Sequence, residues 1–248
     1  MRGFYQEPFV KLRLKQMIKH NSCIYLVPLF PVFNEKETIK FDSFSRENSV
    51  KLYTSLYLNL KEITGNLSGS AASVFCFDER DNDHILPQFS DSQKVIANLN
   101  DKSLILKILS ERYFGRFNNN LIIFVNTIRI SDKDIIKNLD LLNREDETFL
   151  IGKSQRGKVS YIGFNIYNHE LFRQVDATGL KFDNFLHLVC RYDYFLNVLN
   201  ESLFIEDIND FNILYKELSR KESLNYCSQK IHEKFTHLFI EYKELLKC

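Results

Sequence analysis

Several things are scarce in this chain of 248 residues: it has no tryptophan, two methionines, four prolines and eight glycines. Charge of one sign is also lacking, because 33 Lys and Arg stand against 32 Asp and Glu and leave +1. That balance provides no global field to draw the chain to nucleic acid or to an anionic membrane. No apolar run approaches the roughly 18–20 residues needed to cross a bilayer, so no transmembrane segment is expected. The first twenty residues are basic and mildly amphipathic. They lack the continuous apolar core and small-residue cleavage site of a secretory signal, and a cytoplasmic protein is the expectation.

Missing motifs narrow the chemistry further. The five cysteines (Cys23, Cys76, Cys190, Cys227, Cys248) are scattered, odd in number and form no C-x-x-C pair, which fits reduced intracellular thiols. The six histidines show no H-E-x-x-H or comparable spacing, so zinc has no ligand set. The chain has no G-x-S-x-G elbow, P-loop or G-x-G-x-x-G, and hydrolase, kinase and dehydrogenase readings have no residues to stand on.

What is present is a globular composition, 44% hydrophobic and 26% charged, large enough for one α/β domain with helical additions. Residues 23–29 read as a first central strand ending at Pro28 and Pro31. Val50, Tyr53, Leu56, Tyr57, Leu60 and Ile63 repeat at helical spacing. Residues 72–77 form a second strand that runs into the acidic stretch Asp78-Glu79-Arg80-Asp81-Asn82-Asp83, and residues 104–113 a second helix. The apolar run at 121–125 is a buried strand. After it, Ser131 caps a helix, with Asp134 replacing the Glu or Gln of a capping box. Residues 147–151 and 160–164 are two more strands. From Phe182 the pattern is helical, interrupted at Leu203-Phe204-Ile205. It ends in a stripe from Leu224 to Leu245 that must cover this chain's own sheet or another subunit. Strand–helix alternation predicts an α/β fold of three layers, α/β/α, with a mostly parallel central sheet. Its parts are an N-terminal helical extension (1–22), a main domain (23–220) and a C-terminal helix (221–248).

In such sheets ligands bind beyond the carboxyl ends of the strands, where this chain places Asn126. Residues 24–211 resemble a family of small bacterial proteins of the glycosyltransferase-A fold, the nucleotide-diphospho-sugar transferase-like proteins, related to the molybdenum-cofactor and phospholactate nucleotidyltransferases. Pro31, Val32 and Thr38 match the family's phosphate loop, and Lys36 and Lys40 lie near its basic positions. Val125 to Ser131 matches the central Gly-Ser-Asp-Cys-Pro-Asp-Leu-Thr segment in spacing, with Asn126 at the metal-binding aspartate, Arg129 at the second acid and Ser131 at the cap. Gly152, Gly157 and Gly163 are retained in the Gly-Pro-Ala-x-Asp-Gly-Gly-Tyr-Tyr-Leu-Ile-Gly run, with Arg156 at its aspartate. Glu206 keeps an acid in the closing motif.

The resemblance implies a transferase that neutralises a leaving diphosphate with a divalent ion. Mg²⁺ and Mn²⁺ favour carboxylate oxygens. Replacing the aspartate with Asn126 forfeits several kcal/mol at an effective dielectric of about 20, and Arg156 repels a cation. The metal site is therefore expected to be lost, with no cofactor and with Mg²⁺ or Mn²⁺ only if a site is rebuilt elsewhere, for example at residues 78–84. One reading is a divergent transferase-like protein that binds a nucleotide-sugar or sugar phosphate without metal. Its binding residues would be Lys36, Thr38, Lys40, Asn126, Arg129 and Arg156, with Glu206 as a general base. The other is a non-catalytic assembly protein on a vestigial scaffold, a homo-oligomer through its terminal helices. Asp207 reads as a helix cap.

Overall fold

The protein is described by a computed structural model covering residues 20–100, 102–144 and 146–246. The N-terminal extension lies almost wholly outside the described residues. In chain order the main elements are β1 (Ser22–Val27), α1 (Arg46–Gly65), β2 (Ala72–Asp78), β3 (Gln93–Ala97), α2 (Lys102–Arg112), β4 (Asn119–Phe124), β5 (Thr127–Ile128) and α3 (Asp132–Leu142). They continue with β6 (Thr148–Ser154), β7 (Val159–Phe164), α4 (His169–Gln174), α5 (Phe182–Val189), β8 (Phe195–Phe204), α6 (Ile208–Leu218) and α7 (Gln229–Glu241).

All eight strands join one sheet in the order β3-β2-β1-β4-β7-β6-β8-β5. The half built from β3, β2, β1 and β4 is parallel throughout. Beyond β4 the sheet turns mixed: β7 runs antiparallel to β4 and β6, β8 parallel to β6, and β5 antiparallel to β8. β1 shows why two layers of helix are needed. All six of its residues are buried. Ile24 and Leu26 enter one core, while Cys23, Tyr25 and Val27 enter the other. A strand buried on both faces is the mark of a sheet covered on both sides. α1, α3, α6 and α7 supply side chains to the first core, and α2, α4 and α5 to the second. The three-layer α/β/α architecture is as the sequence predicts.

Local signals set the helix boundaries. Ser45 caps α1 by accepting from the Asn48 amide, and Ser131 and Asp134 form the reciprocal capping box at α3. The C-terminal stripe is not one long helix, because Ser228 caps α7 afresh after a short 3₁₀ turn over Lys221–Asn225. Its apolar face (Ile231, Phe235, Leu238, Phe239) lies in the same core as Leu52, Leu56 and Leu60 of α1. Tyr242 stacks on Phe44 at 3.8 Å, and its hydroxyl accepts from the Ser45 amide. The buried face of this stripe therefore covers the chain's own core.

Three strands depart from the sequence reading, the shortest being β5, which pairs with β8. Residues 195–204, read as largely helical, form the ten-residue strand β8, fixed by parallel pairing with β6. β3 adds an edge strand beyond the acidic stretch, pairing with β2. The acidic stretch itself is a 3₁₀ helix, Glu79–His84.

Gly152 has a packing reason. A Cβ there would lie 2.3 Å from Cε1 of Tyr161, whose ring crosses over the glycine from β7. Overpacking of this kind costs about 1–3 kcal/mol. Urea denaturation of Gly152→Ala should show a loss in that range, and adding Tyr161→Leu should make the double variant lose less than the two single losses combined. Simple additivity would mean that the ring does not set the constraint.

Candidate functional site

The candidate site lies where β1 and β4 end and where the β6–β7 turn meets the β8–α6 junction. Asn126 follows β4 and is buried. Its backbone carbonyl accepts from the Ile205 amide at 3.0 Å, and its side-chain Nδ2 donates to the Ile205 carbonyl at 2.9 Å. That contact fixes the amide orientation, since only the nitrogen can donate. The Asn126 Oδ1 is left buried with no hydrogen-bond partner. The residue thus joins the two halves of the crevice and offers one neutral oxygen.

Arg156 lies in the β6–β7 turn, closed by Gly157 at φ +66°, where a Cβ would be strained. Its Nε donates to Asp210 Oδ1 at 2.8 Å, and its terminal nitrogen to Asp207 Oδ1 at 2.6 Å. Asp210 is fully buried. Its carboxylate also accepts from Gln155 Nε2 and from the backbone amides of Glu206 and Asp207. Asp207 caps α6, as predicted, with Asp210 completing a reciprocal capping box. Desolvation alone would raise the Asp207 carboxyl, but the Asp210 and Asn209 amides and the Arg156 guanidinium outweigh it and hold it below its usual range. Glu206, the candidate general base, accepts from Lys158 Nζ at 2.7 Å. Arg129 stands apart: its φ is +69°, its guanidinium is largely in water, and Glu217 lies 3.9 Å away.

The loop after β1 has a carboxylate of its own. Asp81, fully buried, accepts from the amides of Val32, Phe33 and Asn34 at 2.7, 2.8 and 2.8 Å. Burial pushes its carboxyl above the usual range, against the pull of those three donors. Thr38 is buried, and its hydroxyl donates to the Asn34 carbonyl. Lys36 and Lys40 are exposed on the same loop, with no ion pair among the described residues. Of the other acids in the 78–84 stretch, Asp78 accepts from both Arg80 Nε and the Leu99 amide, and Glu79 accepts from the Asn98 side chain. The structure places Asn126, Arg156 and Glu206 at one junction and Lys36, Thr38 and Lys40 on one loop, with Arg129 apart from both. Asp81, Asp210 and Gln155 are not marked as site residues in the sequence.

A divalent ion does not fit this donor set. The unpartnered Oδ1 of Asn126 is a neutral amide oxygen, and the neighbouring carboxylates of Asp207, Asp210 and Glu206 already accept from Arg156 and Lys158. Among the described residues no three His, Cys, Asp or Glu side chains converge to hold a metal. The acids of residues 78–84 bind the chain's own amides and Arg80.

Deleting Arg156 leaves the buried Asp210 one donor short and the half-buried Asp207 without its cation. Arg156→Ala should cost about 2 kcal/mol in urea, below the buried-pair range because the guanidinium is partly in water. A carboxyl with a lowered folded-state pKa adds stability above its unfolded pKa and loses it as pH falls through the folded value. The variant should therefore unfold at a higher pH than the wild type during acid titration followed by circular dichroism. An unchanged acid midpoint would show that the pairing with Asp207 contributes nothing.

No protein-family model and no curated protein matches the sequence. Solved structures do. A proposed nucleotide-diphospho-sugar transferase from Desulfovibrio desulfuricans G20 superimposes with a TM-score of 0.68 at 14% identity, covering 92% of this chain and 100% of that one. The 4-diphosphocytidyl-2C-methyl-D-erythritol synthase of Anaerococcus prevotii gives 0.52 at 12% identity, covering 80% and 98%. A cytidylyltransferase from Leptospira borgpetersenii gives 0.50 at 13%, covering 92% and 96%. At such identities the likeness is one of fold. The chain carries the fold of the nucleotide-diphospho-sugar transferases.

Proposed function

We propose that this chain is a non-catalytic protein on a nucleotide-diphospho-sugar transferase scaffold, its crevice closed by its own ion pairs. The observation that supports this is the double contact of Arg156 with Asp207 and Asp210. A transferase of this fold needs acids that face a dication and cations that face phosphates. Here the acids and cations face each other. The Lys158–Glu206 pair points the same way, since a carboxylate held by an ammonium is a poor base for an acceptor hydroxyl.

A second reading has its own support. Lys36 and Lys40 remain exposed beside the loop after β1, and Arg129 is only loosely paired. Together they offer positive charge to a nucleotide-sugar or sugar phosphate with no metal involved. The names of the similar structures make cytidine nucleotides the first candidates.

Thermal unfolding with cytidine and uridine diphosphates and their sugars, with and without Mn²⁺, separates the two. Ligand at 100 times its Kd stabilises by roughly 2.7 kcal/mol. The leading reading predicts no specific stabilisation by any of them. A metal-independent rise that disappears in Lys36→Ala/Lys40→Ala/Arg129→Ala supports metal-free binding instead. A rise that requires Mn²⁺ contradicts both.

A further inference from the structure

The two ends of the sheet are not alike. At one end β3 is a five-residue strand carrying Lys94, the short and charged form in which natural edges resist further pairing. At the other, β5 covers β8 only at Leu203 and Phe204. Between Phe195 and Ser202, β8 pairs with β6 on one side, and no strand of the described residues lies on the other. The Phe195 amide donates to the Glu147 carbonyl at 2.8 Å, on the β6 side. Backbone groups alternate in direction along a paired strand. Phe195, Asn197 and Leu199 therefore turn theirs to β6, and Leu196 and Val198 turn theirs outward. The strand has no proline and no lysine, and Phe195 and Val198 are exposed at 47% and 51%.

Between the start of β8 and the register shift after Leu199, the regular free edge is Phe195-Leu196-Asn197-Val198-Leu199. Apolar residues flank the asparagine in the same way on both sides, so the pattern reads alike in either direction. Antiparallel pairing of this stretch with itself, about a two-fold axis at Asn197, sets every residue against one of its own kind. Leu196 faces Val198 of the second copy, and the reverse, and each pair exchanges both of its N–H···O bonds. Phe195 faces Leu199 of the second copy. Asn197 faces its own equivalent, with Cα atoms about 4.5 Å apart as in a non-hydrogen-bonded pair. Its side-chain nitrogen has no partner within the chain. A turn about its soft terminal torsion sets amide against amide across the axis, donor to acceptor.

Charge agrees with the antiparallel sense. Arg144 Cζ lies 5.3 Å from the centre of the Phe195 ring, at the start of β8, and Glu201 stands near the far end. Both are exposed, and neither has an ion pair among the described residues. The charges of Arg191 and Asp193, just before the strand, cancel. Opposed strands bring the cationic end of each copy to the acidic end of the other.

We propose that the outer edge of β8 is an interface with a second copy of this chain, joining the two sheets across a two-fold axis at Asn197. A self-complementary interface of this kind closes on itself, so it gives a dimer and no filament. It uses none of the ion pairs of the crevice and stands whether or not that crevice binds nucleotide.

The test is sedimentation velocity of the full chain over a range of micromolar concentrations, joined to hydrogen exchange of the Leu196 and Val198 amides. A monomer–dimer equilibrium is expected, with both amides exchanging faster on dilution. Val198→Lys alters an exposed side chain and sets like charges beside the axis. It should raise the dimer dissociation constant at least tenfold while the circular dichroism spectrum and urea midpoint stay those of the wild type. Asn197→Cys in a Cys190→Ser/Cys248→Ser background should give a disulfide-linked dimer under mild oxidation, since a separation of about 4.5 Å suits the bond. Lys94→Cys in the same background, on the opposite edge, should not. A monomer at every concentration overturns the proposal, as does a dimer that Val198→Lys leaves unchanged. Linkage through Lys94→Cys and not through Asn197→Cys overturns it too. So do amides equally protected at every dilution, because another segment of the same chain would then cover the edge.

Discussion

The carboxylate of Asp210 holds the candidate site in its present form. It is fully buried and accepts from Arg156, Gln155 and two backbone amides. A buried charge is tolerated only when it is paired and hydrogen-bonded. Four donors meet that demand, and in meeting it they bind the β6–β7 turn to the start of α6. Gln155 extends the tie, exchanging hydrogen bonds with both the amide and the carbonyl of Phe204. Asn126 adds the third strand end through Ile205. This junction is a network whose polar groups mostly satisfy one another.

The same logic recurs on the other side of the crevice. Three successive amides after β1 converge on the Asp81 carboxylate, a geometry that suits an anion from any source. In this chain the anion is internal, carried from 49 residues away. Both sides of the candidate site thus centre on a buried aspartate that accepts from backbone amides of the chain itself. The exposed Lys36 and Lys40 lie outside these networks.

Much of the fold was legible because its signals are local. Strands buried on both faces read as apolar runs, and Ser131 with Asp134 marked the start of α3. Gly152, Gly157 and Gly163 stood at positions where the resemblance placed them, and two have a visible reason: the Tyr161 ring over Gly152 and the left-handed turn at Gly157. β8 was illegible because Leu, Asn and Glu in residues 195–204 have no strand preference, and pairing with β6 decides the matter. β3 is a short edge strand whose alternation is masked by Lys94 and an exposed Ile96. At the site, the substitutions at 126 and 156 were plain in the sequence, yet the partners that neutralise Arg156 were not. Asp207 was readable as a cap, and Asp210 follows it at the spacing of Ser131 and Asp134, so the capping pattern was the one signal that pointed there. Asp81 had none, since its contacts with residues 32–34 exist only in the folded chain.

The central claim is that the acids of this crevice hold the chain's own cations and leave none for a metal. Electron paramagnetic resonance of free Mn²⁺, titrated with the wild-type protein at micromolar concentration, addresses it directly. The account predicts that the signal of the aqueous ion is undiminished. Stoichiometric loss of that signal, recovered in Asn126→Ala or Asp207→Ala, would contradict it.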